Sequence, residues 1–306
     1  MGIALVVEHV MLAFGKALML SGTERAGIVV SSDRGQPKPR NRRIGARLRA
    51  IRKERTELSL EAAARLLGWS AATLSRTENG TRDITSEEVA TMVTAYQLPP
   101  PDRDAIIQDA RSVDSSGWWD RPLPGVPEEM GVLASYAAEA NGLTSWAVAL
   151  VPGLLQVEAY AMGLMLSDGI TEEDAQLRWL ARRRRQQILG AIDYTAYICE
   201  TALRIPFGGR KAHCEQLEHL LGAPERGISV RILPDRRPHG LLSHSWLYMT
   251  FPSISPVVNV EVAEGGVYLL NEQARHYTAK LELLARVALS NLESSTVLTS
   301  IMREVR

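Results

Sequence analysis

From residue 44 to about 112 the apolar positions recur at three- and four-residue steps, the period of amphipathic helices. Ile44, Leu48 and Ile51 form a first stripe. Ala63, Ala64 and Leu67 form a second, in a segment that Ser59 opens as an N-cap and Gly68 closes, since glycine takes a left-handed C-cap without a Cβ clash. Leu74 points inward from a third segment, about Ala71 to Glu78, which Ser70 caps and Asn79-Gly80 ends. Val89, Met92 and Val93 mark a fourth, opened by Thr85 or Ser86 and ended by Pro99-Pro100-Pro101. A fifth runs from about Asp102 to Ser112.

Further on the pattern changes. Helical spacing predicts helices around 131–141 and 153–166, and a third from Thr171 to Leu189, where Asp174 completes a capping-box-like pair. Strand-like runs follow at 194–199, 228–233, 245–251, 257–262 and 267–270, with a helix near Lys211–Leu221 between the first two. A long final helix is expected from about Asn271 to Ser290. Its apolar residues Leu281, Leu283, Leu284 and Val287, with Leu292 just beyond, exceed what one helix face usually needs. Helices before, within and after a set of strands predict a sheet with helices packed on it. The fold class is therefore α+β: an all-α five-helix head, then a larger mixed domain whose strand order the pattern leaves open.

Two stretches lie outside this scheme. The run GIALVVEHVMLAFGKALML near the start is apolar but broken by Glu8, His9 and Lys16, short of the ~18 uninterrupted apolar residues of a membrane span. No basic residues precede it, as a secretory signal would require. It is read as an extension covering residues 1–36, with no membrane partner. Residues 113–130 are rich in Gly, Pro and Ser and join head to second domain; Trp118 and Trp119 are expected to pack on the latter. The organisation is thus 1–36, 37–112, 113–130 and 131–306.

Composition adds bounds. Of 306 residues, 45% are hydrophobic and 23% charged, which suits a soluble chain of about two domains. Basic and acidic residues balance at 35 each, so any polyanionic partner must be met by a local concentration of charge. Such a concentration exists: Lys38 to Arg55 holds nine basic residues against one acidic, Glu54. Two cysteines, Cys199 and Cys214, make neither a disulfide framework nor a four-ligand zinc site, and a reducing cytoplasm is the expected compartment.

The basic run directly precedes the Ser59–Gly80 segment, whose two short helices and tight turn form a helix-turn-helix pattern. Small alanines let the two helices approach, and the second is left free to enter a major groove. The candidate contacts to double-stranded DNA are Ser59, Ser70, Ala71, Ala72, Thr73, Ser75, Arg76 and Asn79 on the motif, with Arg42 and Arg43 on the basic lead-in. Lys38 and Arg40 share that lead-in, where cations meet phosphates. Glu78 is expected to pair with Arg52 or Lys53 and lock the recognition helix to the first helix. The other reading of the basic run is a solvated helix face.

Residues 44–112, through S-L-E-A-A-A-x-x-L-G-W-S-x-x-T-L-S-R-x-E-N-G, resemble the Xre-type, phage-repressor-like regulators. Two departures matter. Leu60 stands where many relatives carry glutamine, removing that amide contact to DNA. Ala71 and Ala72 stand where many carry longer polar side chains, so alanine contact with thymine methyls and readout by Thr73, Ser75 and Arg76 must serve. Residues 113–306, through VPGLLQVEAYA, RRRRQQIL, CETALR, QLEHLL and VRILP in that order, resemble the domain of unknown function that follows the helix-turn-helix in many actinobacterial regulators of this type. That resemblance implies an antitoxin-like regulator paired with a small companion (toxin) protein.

Catalytic and metal readings are weaker. Glu200 and Glu261 follow strand-like runs and offer an acid and a base, but no nucleophile or metal motif accompanies them; helix capping or pairing with arginines is the competing role. His213, Cys214 and His219 share a helix, and His239 and His244 a loop, but ordinary surface or core histidines explain both sets. There is no glycine-rich phosphate loop. Arg182–Arg185 either touch DNA or an acidic partner, or wrap a helix in charge, because consecutive residues point around the whole helix. No enzyme activity, cofactor or metal is expected. The expected protein is a cytoplasmic repressor that binds DNA as a homodimer through residues 131–306. The alternative is a DNA-addressed small-molecule sensor or enzyme with its ligand site in residues 131–306.

Overall fold

The computed structural model describes residues 38–111, 126–235, 240–252, 254–262 and 265–305. The expectations for residues 1–36, for Trp118 and Trp119 and for His239 lie outside these residues. The architecture is α+β, with a helical head followed by a mixed-sheet domain.

The head holds α1 (Pro39–Ile51), α2 (Leu60–Leu67), α3 (Ala71–Glu78), α4 (Ser86–Ala95) and α5 (Pro100–Arg111). α1 continues into a π-helical turn, Arg52–Thr56, that ends at Glu57 in the left-handed region. Ile44, Leu48, Ala63, Leu74, Val89, Met92 and Val93 are buried in one core, as their spacing predicts. Thr85 caps α4 through a complete capping box with Glu88. The prolines behave differently from expectation: α4 stops at Ala95, and Pro100 opens α5 rather than only closing α4. Proline suits a first helical turn, where its missing N–H would have no partner.

α1 crosses α3 at a very short distance. A Cβ on Gly45 would lie 2.3 Å from the Thr77 carbonyl oxygen and 2.9 Å from that of Glu78, both backbone atoms. Gly45→Ala must push α1 off α3, at about 1–3 kcal/mol for overpacking. We expect a lower melting temperature in a calorimetric scan and weakened hydrogen-exchange protection confined to α1 and α3; unchanged protection there would show that the contact yields freely.

The second domain holds α6 (Glu128–Glu139), β1 (Gly142–Ala147), α7 (Glu158–Ser167), α8 (Glu172–Gln186), β2 (Asp193–Cys199), α9 (Gly209–Leu221), β3 (Ser229–Leu233), β4 (Trp246–Thr250), β5 (Val257–Val262), β6 (Gly265–Leu270), α10 (Glu272–Val287) and α11 (Asn291–Val305). The sheet order is β3-β2-β1-β4-β5-β6. β1, β2 and β3 are parallel, and β4, β5 and β6 continue antiparallel. One sheet face is packed by α6, α7, α9 and α11 through residues such as Tyr136, Tyr160, Leu217 and Ile301. The other is covered by α10 through Ala274, Tyr277 and Leu284.

Two elements lie outside the sequence expectation. β1 was not foreseen, although it is the strand that joins the parallel and antiparallel halves. Its residues Thr144 and Ser145 break the apolar signal, and Ser145 is nonetheless buried because its hydroxyl bonds the Tyr194 hydroxyl at 2.9 Å. The helix expected from about Asn271 to Ser290 is α10, and a further helix that the pattern did not predict, α11, follows it after a break at Ala288–Ser290. Arg231 draws the end of α10 onto β3, donating to the carbonyls of Ala285, Ala288 and Leu289 at 2.9 Å each. Leu284 is fully buried and Leu281, Leu283 and Val287 pack on the same core, so that apolar surface is used inside the domain. Leu292 sits on α11 and is 81% exposed.

Candidate nucleic-acid interface

The interface is built from local chemistry around two turns. Ser59 Oγ accepts the Ala62 N–H at 3.1 Å and starts α2. Gly68, at φ +69°, ends it. The Gly68 N–H donates to the Arg65 carbonyl and that of Trp69 to the Ala64 carbonyl, which closes the helix and turns the chain. Ser70 Oγ then accepts the Thr73 N–H at 3.1 Å and starts α3. Both serines are exposed, but each hydroxyl already serves as a cap.

α3 is held from behind by an ion pair. Arg52 donates from Nε to Glu78 Oε1 at 2.6 Å and from Nη2 to Oε2 at 2.8 Å. Side-chain exposure is only 6% for Arg52 and 3% for Glu78. The Glu78 carboxylate bonded to it raises the pKa of Arg52. Of the two partners expected for Glu78, the structure selects Arg52. A third bond, from Arg52 Nη1 to the Leu58 carbonyl at 2.7 Å, ties the loop before α2 to the same pair.

The outer face of α3 carries Ala72 and Arg76, one turn apart and exposed, with Ala71, Thr73 and Ser75 half-buried beside them. Arg76 Nε reaches the Ala72 carbonyl at 3.4 Å, a weak tether that leaves the guanidinium in solvent. At the C-terminal end of α3, Asn79 Nδ2 donates to Ser75 Oγ at 3.3 Å, and Asn79 Oδ1 accepts from Arg49 Nη1 at 3.4 Å. Arg49 is exposed on α1.

The basic lead-in departs from expectation. Arg42 is buried, 5% exposed, and its guanidinium carbon lies 6.0 Å from the centroid of Tyr136 on α6. Burial lowers the Arg42 pKa and pushes the Tyr136 phenol up to about 12. Gly80, at φ +64°, makes room for it: a Cβ there would lie 2.4 Å from Arg42 Cα. Arg43 pairs with Asp109 at 2.8 Å, Arg40 donates to the carbonyls of Ile84 and Ala110, and Lys38 pairs with Asp83 at 3.5 Å. Burial takes Arg42 away from the phosphate role expected of it, whereas Arg43 keeps a partly exposed side chain beside Asp109. Arg42 serves the joint between head and second domain, and Arg43 ties α1 to α5. The exposed cations beside Glu78 and Asn79 at the end of α3 are instead Arg49 and Lys53. Arg49 was missed because the whole run is basic; its only distinguishing mark is its place one residue after the buried Leu48.

The other candidates fall elsewhere. Glu200 pairs with Arg204 at 2.7 Å. His213 is buried, its Nε2 2.7 Å from the Leu203 carbonyl. His219 lies against Arg226, and His244 Nε2 bonds the Tyr277 hydroxyl at 2.9 Å. Among the described residues no group of three or more His, Cys, Asp or Glu is placed to hold a metal ion. No helix among them is long and apolar enough to cross a membrane.

Two protein-family models match the chain. Residues 43–106 match a helix-turn-helix domain. Residues 130–300 match a domain of unknown function, DUF5753. No curated protein and no solved structure matches it. With the head's two capped helices in place and the larger match covering more than half of its length, the chain belongs to the DUF5753 family and carries an N-terminal helix-turn-helix domain.

Proposed function

We propose that this protein is a sequence-specific transcription regulator of the Xre type, acting as a repressor without catalysis of its own. The observation that carries this reading is α3 itself: capped by Ser70, fixed from behind by Arg52–Glu78, and open on the face that holds Ala72 and Arg76. Ala72 suits a thymine methyl, and Arg76 a guanine edge. Arg49, beside Asn79, supplies the phosphate contact. Mapping bound DNA across the genome tests the reading; a bound-site profile lacking any shared sequence would sink it.

Arg49 and Arg42 give a sharper local test. Arg49→Ala weakens binding to specific and non-specific DNA alike and lowers the salt slope by about one. Arg42→Ala leaves the slope unchanged, because that guanidinium is buried. Fluorescence anisotropy at several salt concentrations separates the two. A drop in slope for Arg42→Ala would mean that the joint opens on DNA.

Two heads acting together complete the proposal. Few side chains on α3 read bases, so one head binds weakly at physiological salt. A second head on the same particle raises the effective concentration without new contacts. Half-sites then lie about one helical turn apart. The interaction with a companion protein, as in antitoxin-like regulators, belongs to the second domain in this reading. Light scattering on the full chain at micromolar concentration should give the dimer mass; a monomer mass would leave cooperativity on DNA as the only route to tight binding.

A small-molecule sensor in the second domain is the second reading. The observation that favours it is the set of inward-facing arginines on α8.

A further inference from the structure

The four consecutive arginines are split by the helix they stand on. Arg183 and Arg184 are exposed, while Arg182 and Arg185 turn inward and are joined by Arg178, one turn earlier. The steps of four and three residues place Arg178, Arg182 and Arg185 in one stripe. Inward of that stripe lie the turn at Gly153–Gln156 and the sheet. Arg182 Nη1 donates to Gln156 Oε1. A Cβ on Gly153 would lie 2.9 Å from Arg185 Nη2 and 3.4 Å from Arg182 Nε, so the guanidinium groups lie directly against this turn.

The stripe is rich in positive charge and poor in partners. Among the described residues none of the three arginines has a carboxylate within ion-pair distance. The Nε atom of each is buried and makes no hydrogen bond. Buried polar groups are normally satisfied, and three orphaned donors on one stripe require a reason. Burial lowers the pKa of Arg185, and lowers that of Arg182 to about 10 with Arg185's charge adding to it. The carboxylate that acts on both is Glu261, which is exposed at the end of β5. Yet all three residues are half-buried rather than sealed, so part of each meets solvent. Deep, mutually repelling and still reachable cations suit a bound anion better than they suit a core.

We propose that Arg178, Arg182 and Arg185 form a binding site for a small polyvalent anion, carboxylate- or phosphate-bearing, between α8 and the sheet of the second domain. Guanidinium forks match both groups bidentately. The buried hydroxyl pair of Ser145 and Tyr194 lies on the sheet side, where Arg185 acts on Tyr194. The site also lies close to the side of the domain that meets the head. Arg185 acts on Tyr268, whose ring stacks on Tyr136 at 5.2 Å, and Tyr136 lies under Arg42 of α1.

The test uses the full chain and no DNA, so its outcome is independent of the regulator reading. Inorganic pyrophosphate and citrate are titrated at ionic strength matched with chloride, by calorimetry and by thermal shift. A hundredfold excess over Kd of a bound probe should raise the melting temperature by about 5–10 °C. The stronger of the two probes identifies the phosphate or the carboxylate source. Arg182→Gln and Arg185→Gln should each weaken binding at least tenfold, while Arg183→Gln, which faces outward, should not. Without probe, Arg185→Gln should melt no lower than the wild type, because it removes a like charge. If that variant does not fold, Arg178→Gln and the wild-type titration carry the test. Absence of any shift beyond chloride overturns the proposal. So does a shift that survives Arg182→Gln, or a probe-free melting temperature for Arg185→Gln well below wild type, which would mean that a carboxylate of the chain already pairs with the stripe.

Discussion

Glu78→Ala should cost the head about 3–5 kcal/mol, because it leaves the Arg52 guanidinium buried without its counter-charge. The attraction between the two charges offsets their desolvation only while both are present. Removing one partner forfeits two short hydrogen bonds and keeps the desolvation cost of the other. α1 and α3 lose their main polar connection, so amide protection should fall in both and DNA affinity should fall with it. Replacing both residues, as Arg52→Met with Glu78→Leu, should recover much of the stability. Recovery should be incomplete, since the Leu58 carbonyl also loses its donor. Hydrogen exchange on the full chain, with urea unfolding alongside, separates these outcomes. A single-variant cost below about 1 kcal/mol, the range of exposed pairs, would show that water reaches the pair.

Arg76→Ala should weaken binding to the preferred DNA site by about 1–3 kcal/mol and flatten the preference among sites. Arg76 is exposed on the open face of α3, and among the described residues its side chain makes only the long bond to the Ala72 carbonyl. Its removal therefore leaves the fold almost untouched, and the loss falls on recognition. Affinity for non-specific DNA should change only by the loss of one cation. Competition binding against shuffled sites makes the comparison. If Arg76→Ala binds its site normally, α3 enters the groove by another face, and Thr73 and Ser75 become the readers to test.

Much of the head was legible because its signals are local. A cap acts within three residues, and Ser59, Ser70 and Thr85 each bond the backbone three positions on. The helical stripes of Ile44, Leu48, Leu74, Met92 and Val93 matched burial because a head this small has one core for them to face. Charge was harder to read. Among nine basic residues nothing in the local sequence marks which cations turn inward, so Arg42 and Arg49 look alike. One is buried against the second domain and the other exposed beside α3.

The sequence by itself determined the α+β class, the helix-turn-helix with its two caps, and most strands, since each follows from the chemistry of neighbouring residues. Only the tertiary structure decided the place of β1, whose partners β2 and β4 lie about fifty and a hundred residues away and whose serine is satisfied by Tyr194. It alone decided that Arg52, not Lys53, holds Glu78, and that Arg182 and Arg185 face inward while Arg183 and Arg184 do not. In each case the deciding partner comes from another element, and a distance between elements is set by how they pack rather than by spacing along the chain.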